Sequence, residues 1–166
     1  MAHVIEVPHA GDAAFPGPLR LRTWLQTYPN EAAGINETWI REHRGASATA
    51  EGTAQWRQFI EAAGQQPDLL FCRVVRSEAE IVGFLCGRRD EVVSLGPLYL
   101  LNEAQGQGVG GRMTNELFTW AGSSPIRLCA CGSPNTTSER STSTSATDSR
   151  PQASERPGEE NCQMCA

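Results

Sequence analysis

The chain of 166 residues contains no lysine; all 14 of its basic residues are arginine. A P-loop needs a lysine to reach its phosphates, so that motif is excluded. Acidic residues number 19, which leaves a formal charge of −5. A general nucleic-acid surface carries a basic excess, and none is present. Long hydrophobic runs are missing too: no stretch approaches the roughly 18 apolar residues of a membrane span. The N-terminus, MAHVIEVPHAGDAAF, does not place a basic segment ahead of an apolar one, as a secretory signal would. These absences point to one cytoplasmic domain of ordinary length, with neither nucleic acid nor membrane as partner.

Hydrophobic residues make up 39% and charged residues 20%, both slightly low for a packed domain. The shortfall lies at the C-terminus. From Ser133 to Ala166, 12 of 34 residues are Ser or Thr, and Leu, Ile, Val, Phe, Tyr and Trp are all absent. Such a stretch cannot bury enough surface to offset its ordering entropy, so disorder is expected there. The expected division is a domain over 1–131 and a Ser/Thr/Pro-rich tail over 132–166. Of the six cysteines, Cys72 and Cys86 sit in apolar strand-like runs and read as buried free thiols. Cys129 and Cys131 form C-x-C, and Cys162 and Cys165 form C-x-x-C, a pattern that could hold zinc.

Along the body, His3–Val7 reads as a short strand. Leu21, Trp24, Leu25 and Tyr28 recur at helical spacing within Arg20–Tyr28, which Pro29 and Asn30 end. Asn36–His43 and Thr53–Ala63 read as further helices, the latter stopped by Gly64. Trp24, Trp39 and Trp56 are placed in core or groove packing, with one or two at a substrate cleft. Leu69–Val75, Ile81–Cys86 and Val92–Leu101 read as strands of an antiparallel meander. Gly96-Pro97 marks a bulge or an unpaired edge in the third, because proline cannot donate to a ladder. A helix over Gly108–Ala121 offers Met113, Leu117, Phe118 and Trp120 for burial, and Pro125–Ala130 reads as a last strand.

The chemistry lies in Leu98–Met113, LYLLNEAQGQGVGGRM. An apolar strand runs into a glycine-rich turn that opens directly into a helix. Glycines let backbone approach a ligand closely, and the N–H groups of the turn and the helix start converge on one spot, a geometry for phosphate. Gly106, Gly108 and Gly111 match G-x-G-x-x-G, but the dinucleotide motif requires a βαβ unit and an acid about 20 residues on. The region around Cys131 has no acid, and the strands ahead form a meander.

Gln105, Gly108 and Gly110 satisfy Q/R-x-x-G-x-G/A behind the strand L-Y-L-L and Asn102-Glu103. In order, spacing and strand context this resembles the coenzyme A-binding motif of the GNAT superfamily of N-acetyltransferases, over roughly residues 15–131. The resemblance implies an α/β (α+β) fold with a mostly antiparallel central sheet flanked by helices. It implies that Leu100 and Leu101 offer backbone groups to the acetyl-pantetheine arm, and that Gln105, Gly106, Gln107, Gly108, Val109 and Gly110 cradle the pyrophosphate. Acetyl-CoA is the implied cosubstrate, a small-molecule or peptide amine the acceptor, and no metal is required; a homodimer is compatible with it. In relatives a carboxylate often works near the start of the fourth strand, which makes Glu91, beside Asp90, a weak candidate base. Ser94 occupies the place where some relatives carry Glu. A catalytically inactive coenzyme A-binding protein is the alternative of another class, and a zinc module on the four C-terminal cysteines a third.

The family's next motif, resembling N-x-x-A-x-x-L-Y-x-x-x-G-F with the tyrosine that protonates the departing thiolate, is absent. Lysine codons begin with AA and most arginine codons with CG, so the lack of lysine suggests a GC-rich gene. With GC-leaning codons, a shifted reading of Thr136 to Ser149 can encode N-E-R-A-L-D-L-Y-E-R-H-G-F, the missing motif at its spacing. The expectation is a frameshift near Leu128–Ser133 that leaves the domain C-terminally incomplete and makes the cysteine pairs incidental. Nucleotide sequencing of the gene is the direct check.

Overall fold

The structure, a computed structural model, describes residues 2–128. It holds five strands and four helices: β1 His3–Glu6, α1 Pro16–Thr27, α2 Glu37–Arg44, α3 Ala50–Gln65, β2 Leu70–Ser77, β3 Glu80–Arg89, β4 Val93–Leu100, α4 Val109–Ala121 and β5 Ile126–Leu128. The strands form one sheet in the order β1-β2-β3-β4-β5. Every pairing is antiparallel except that of β5 with β4. This is the α/β architecture with a mostly antiparallel sheet read from the sequence. The expected tail, the Cys129/Cys131 and Cys162/Cys165 pairs, and the frameshifted segment lie outside the described residues.

β3 explains the sheet. Residues Ile81–Gly87 are all buried, so the strand shows an unbroken apolar run rather than alternation, as a strand covered on both faces must. One face receives α3, whose Trp56 ring lies 5.1 Å from Phe84. The other receives α4, whose Leu117 fills the space above Gly87. A second cluster, Trp24, Ile35 and Ile40, closes the α1–α2 side. Cys72 and Cys86 are buried and free, directly opposed across β2 and β3 with sulfurs 3.5 Å apart. Burial, and then the neighbouring Cys72, push the Cys86 thiol well above its ordinary pKa.

Several sequence boundaries shift. α1 begins at Pro16, four residues before the expected Arg20, because proline suits the first helical turn. α3 runs through Gly64 to Gln65. One glycine costs a helix only about 1 kcal/mol, whereas Pro67 disfavours helical backbone at the residue before it. In α4 the buried stripe is Val109, Met113, Leu117 and Ala121, at i, i+4 spacing. Phe118, next to Leu117, turns outward and is 48% exposed. Trp120 is half-buried, and its indole N–H donates to the Pro67 carbonyl at 2.7 Å.

The entry to α1 is fastened to the sheet by Asp12, whose side chain is 3% exposed. Its carboxylate accepts from the His9 backbone N–H at 2.9 Å and from the Arg76 guanidinium at 2.9 Å; Arg76 also pairs with Glu6. Burial opposes the charge, but the His9 N–H and Arg76 outweigh it and hold Asp12 below the usual carboxylate range. A depressed carboxylate stabilises the fold above its unfolded pKa, and the effect is lost as pH falls through the folded one. Asp12→Asn should therefore cost about 2–3 kcal/mol at pH 7. The gap between variant and wild type in urea denaturation should narrow as pH falls through the lowered pKa of the folded carboxylate. A gap independent of pH would show that shape, not charge, holds the contact.

Candidate functional site

β4 is paired with β3 along its length but with β5 only through Val93–Leu95 and Ile126–Leu128. Beyond Leu95, no described residue pairs with its outer edge. The pairing steps from Leu85 opposite Leu98 to Gly87 opposite Leu95. β3 thus advances two residues while β4 advances three, which places the expected bulge at Gly96-Pro97. The Leu101 N–H donates to the Val82 carbonyl at 2.9 Å, so it faces β3. Antiparallel alternation then turns the main-chain groups of Leu98 and Leu100 toward the open edge. The Leu101 carbonyl accepts from the Ala104 N–H at 2.9 Å, so both of its main-chain groups are engaged within the fold. Of the two leucines singled out in the sequence, Leu100 presents backbone to the edge and Leu101 does not.

The strand ends in a turn. Gly106 and Gly108 have φ of +73° and +71°, the left-handed region that side chains avoid. A Cβ on either would meet nothing within 4 Å, so backbone conformation, not crowding, demands glycine at these two positions. α4 starts at Val109 with no side-chain cap and no acid in its first turn. Among the described residues, the N–H groups of 106–111 find no backbone acceptor. A helix start left in this state carries partial positive charge and free donors, which suit an anion. Gly110 serves differently: a Cβ there would sit 3.3 Å from a Leu100 methyl, so α4 rides close on β4.

Gly83 is a site residue that the sequence reading missed. It lies opposite Leu100, and a Cβ on it would stand 2.3 Å from a Leu100 methyl. The signal was a glycine inside the apolar run IVGFLC, which marks close approach.

α1 braces the turn from the other side. The Gln26 side-chain oxygen accepts from the Asn102 N–H at 3.2 Å, and Arg22 pairs with Glu103 at 2.8 Å. Residues 22 and 26 stand one helical turn apart. The Gln107 amide donates to the Glu103 carbonyl at 2.9 Å. The donors are therefore held in place before any ligand arrives.

The sequence profile of the Acetyltransferase (GNAT) family matches residues 23–140. The chain belongs to the GNAT acetyltransferase family. Among solved structures, the PaiA N-acetyltransferase of Thermoplasma acidophilum in complex with coenzyme A is similar with a TM-score of 0.55 and 20% identity, over 72% of this chain and 71% of that one. A GNAT acetyltransferase from Streptococcus pneumoniae gives 0.55 and 16%, over 72% and 67%. AAC(6')-Iy in complex with a bisubstrate analogue of coenzyme A and acetylneamine gives 0.51 and 14%, over 92% and 100%. At these identities the likeness is one of fold. No curated protein matches the sequence.

In this GNAT chain Glu91 is exposed in the turn between β3 and β4. The full length of β4, roughly 25 Å at 3.3 Å per residue, separates it from the glycine turn, so the two are not brought together. Asp90 beside it pairs with Arg88 at 3.1 Å. Ser94 is half-buried on β4, opposite Arg88 on one side and Arg127 on the other. Tyr99, which the sequence reading did not single out, lies between the outward-facing Leu98 and Leu100. Its hydroxyl accepts from the Trp24 indole N–H at 3.2 Å, and Arg44 stacks on that indole 4.4 Å from the ring centre. A tyrosine in an apolar strand needs a partner for its polar tip, which was the available signal. Among the described residues no group of three or more His, Cys, Asp or Glu could hold a metal ion.

Proposed function

We propose that the protein transfers the acetyl group of acetyl-CoA to a primary amine. The observation that carries this reading is continuity: the β4 edge left unpaired by the described residues runs without a break into a turn whose N–H groups find no backbone acceptor among them. The turn fits a pyrophosphate through the N–H groups from Gly106 to Gly110. The outward groups of Leu98 and Leu100 fit an extended amide chain, which would lie along β4 as an added strand. When bound, acetyl-CoA supplies an activated acyl group at the end of that chain.

The chain's own residues then orient and stabilise. A main-chain N–H on the open edge meets charge developing on the acetyl oxygen. The Leu101 N–H is committed to the Val82 carbonyl, so this donor falls to the outward Leu98 or Leu100. The acceptor ammonium, with a reference pKa near 10.4 if it resembles lysine, must lose a proton before attack. Glu91 lies at the end of β4 opposite the glycine turn and Tyr99 lies beside the turn, so the two stand at different distances along the chain that carries the acyl group.

The test combines calorimetry with coenzyme A and thiol release from acetyl-CoA across a panel of polyamines, aminoglycosides, amino acids and peptides. Binding with thiol release is the expected result. Binding without transfer to any amine would favour an inactive coenzyme-binding protein. No binding would overturn both.

A further inference from the structure

We infer that Gln105 is a positioning residue, which ties the open edge of β4 to the glycine turn instead of contacting phosphate. Its backbone N–H donates to the Asn102 carbonyl at 3.1 Å. Its side-chain Nε2 donates to the Leu100 carbonyl at 2.9 Å and to Asn102 Oδ1 at 3.3 Å. Every donor of Gln105 is therefore engaged inside the strand–turn junction. What remains is the amide oxygen, an acceptor that repels an anion. The neighbouring N–H groups of 106–111 are in the opposite state, with no backbone acceptor among the described residues.

The Leu100 carbonyl is also the last outward-facing acceptor on β4. A carbonyl has two lone pairs, so the bond from Gln105 leaves one for an amide N–H arriving along the edge. The same side chain thus fixes the distance and direction between the strand's last outward acceptor and the turn's first free donors. A ligand that spans both subsites benefits from this rigidity. Once one half is bound, the other half reaches its subsite at an effective concentration set by how well the span is held. A ligand confined to one subsite gains nothing from it. This role rests on the proposed binding of acetyl-CoA at the same site.

The experiment is calorimetry on wild-type protein and on Gln105→Met, which keeps the side chain's shape and removes its donors; Gln105→Ala provides a second variant. The probes are coenzyme A, 3′-phospho-ADP and pantetheine. Losing the brace should weaken coenzyme A about tenfold, the size of one or two polar hydrogen bonds. Affinity for 3′-phospho-ADP should stay within about twofold. If 3′-phospho-ADP weakens as much as coenzyme A, Gln105 touches the phosphate and the positioning role is overturned. Unchanged coenzyme A affinity in both variants overturns it as well. Wild-type protein that binds none of the probes would remove the proposed function itself, a different failure.

Discussion

Gly108→Val is expected to weaken coenzyme A at least a hundredfold while the domain stays folded. Two effects combine. Gly108 holds φ at +71°, and a β-branched residue there costs about 1–3 kcal/mol in strain. The turn relieves that strain only by rotating out of the left-handed region, which swings the following N–H groups away from their common focus. If the backbone instead stays in place, the new side chain projects into open space above the turn, where nothing else lies within 4 Å. That is the volume a pyrophosphate would fill. Either response removes the anion site, and about 2.7 kcal/mol corresponds to a hundredfold. Calorimetry measures the affinity, and circular dichroism confirms that the variant is folded. A folded Gly108→Val protein with wild-type affinity would show that the turn does not bind the coenzyme.

The largest loss of stability should follow from one methyl group at Gly17. A Cβ there would lie 1.8 Å from the Ser47 carbonyl oxygen and 2.6 Å from its carbon. Gly52, at the start of α3, meets the same oxygen at 2.4 Å. The 3-10 turn Gly45–Ala48 is thus clamped between the first turns of α1 and α3, backbone against helix. Both neighbours of the new methyl are main chain, so no side-chain rotation relieves the clash. Gly17→Ala should cost about 3 kcal/mol or more, at the upper end for overpacking. That is a large share of the 5–15 kcal/mol typical of a domain. Urea denaturation measures it; a variant as stable as wild type would show that the Gly45–Ala48 turn moves freely.

These two glycines show which parts of the molecule the sequence disclosed. Gly108 could be read because its reason lies within eight residues: an apolar strand, a turn and a helix in immediate succession. The bulge at Gly96-Pro97 was legible for the same reason, since proline's missing donor is a local property. Gly17 was not legible, because its reason is Ser47, thirty positions away, and nothing near Gly17 signals that approach. Gly83 hinted at close packing without naming Leu100 as the cause. The burial of Cys72 and Cys86 followed from apolar context, but their direct opposition depends on strand register. Leu101 was misjudged as an edge donor because a one-residue step along a strand reverses which neighbour its backbone faces. Glu91 was read from its place before β4, and the structure keeps it there, exposed at the end of that strand opposite the glycine turn.

The alternation along β4 has a consequence for proton exchange with solvent. The amides of Tyr99 and Leu101 point into the sheet, whereas those of Leu98 and Leu100 point to an edge that no described strand covers. Within four consecutive residues, slow and fast deuterium uptake should therefore interleave, a pattern more typical of a sheet margin than of a strand next to the core. A ligand that adds itself to this edge would erase the interleaving, slowing Leu98 and Leu100 while leaving their neighbours as they were. The free strand edge is thus its own isotopic gauge of occupancy, read one amide at a time.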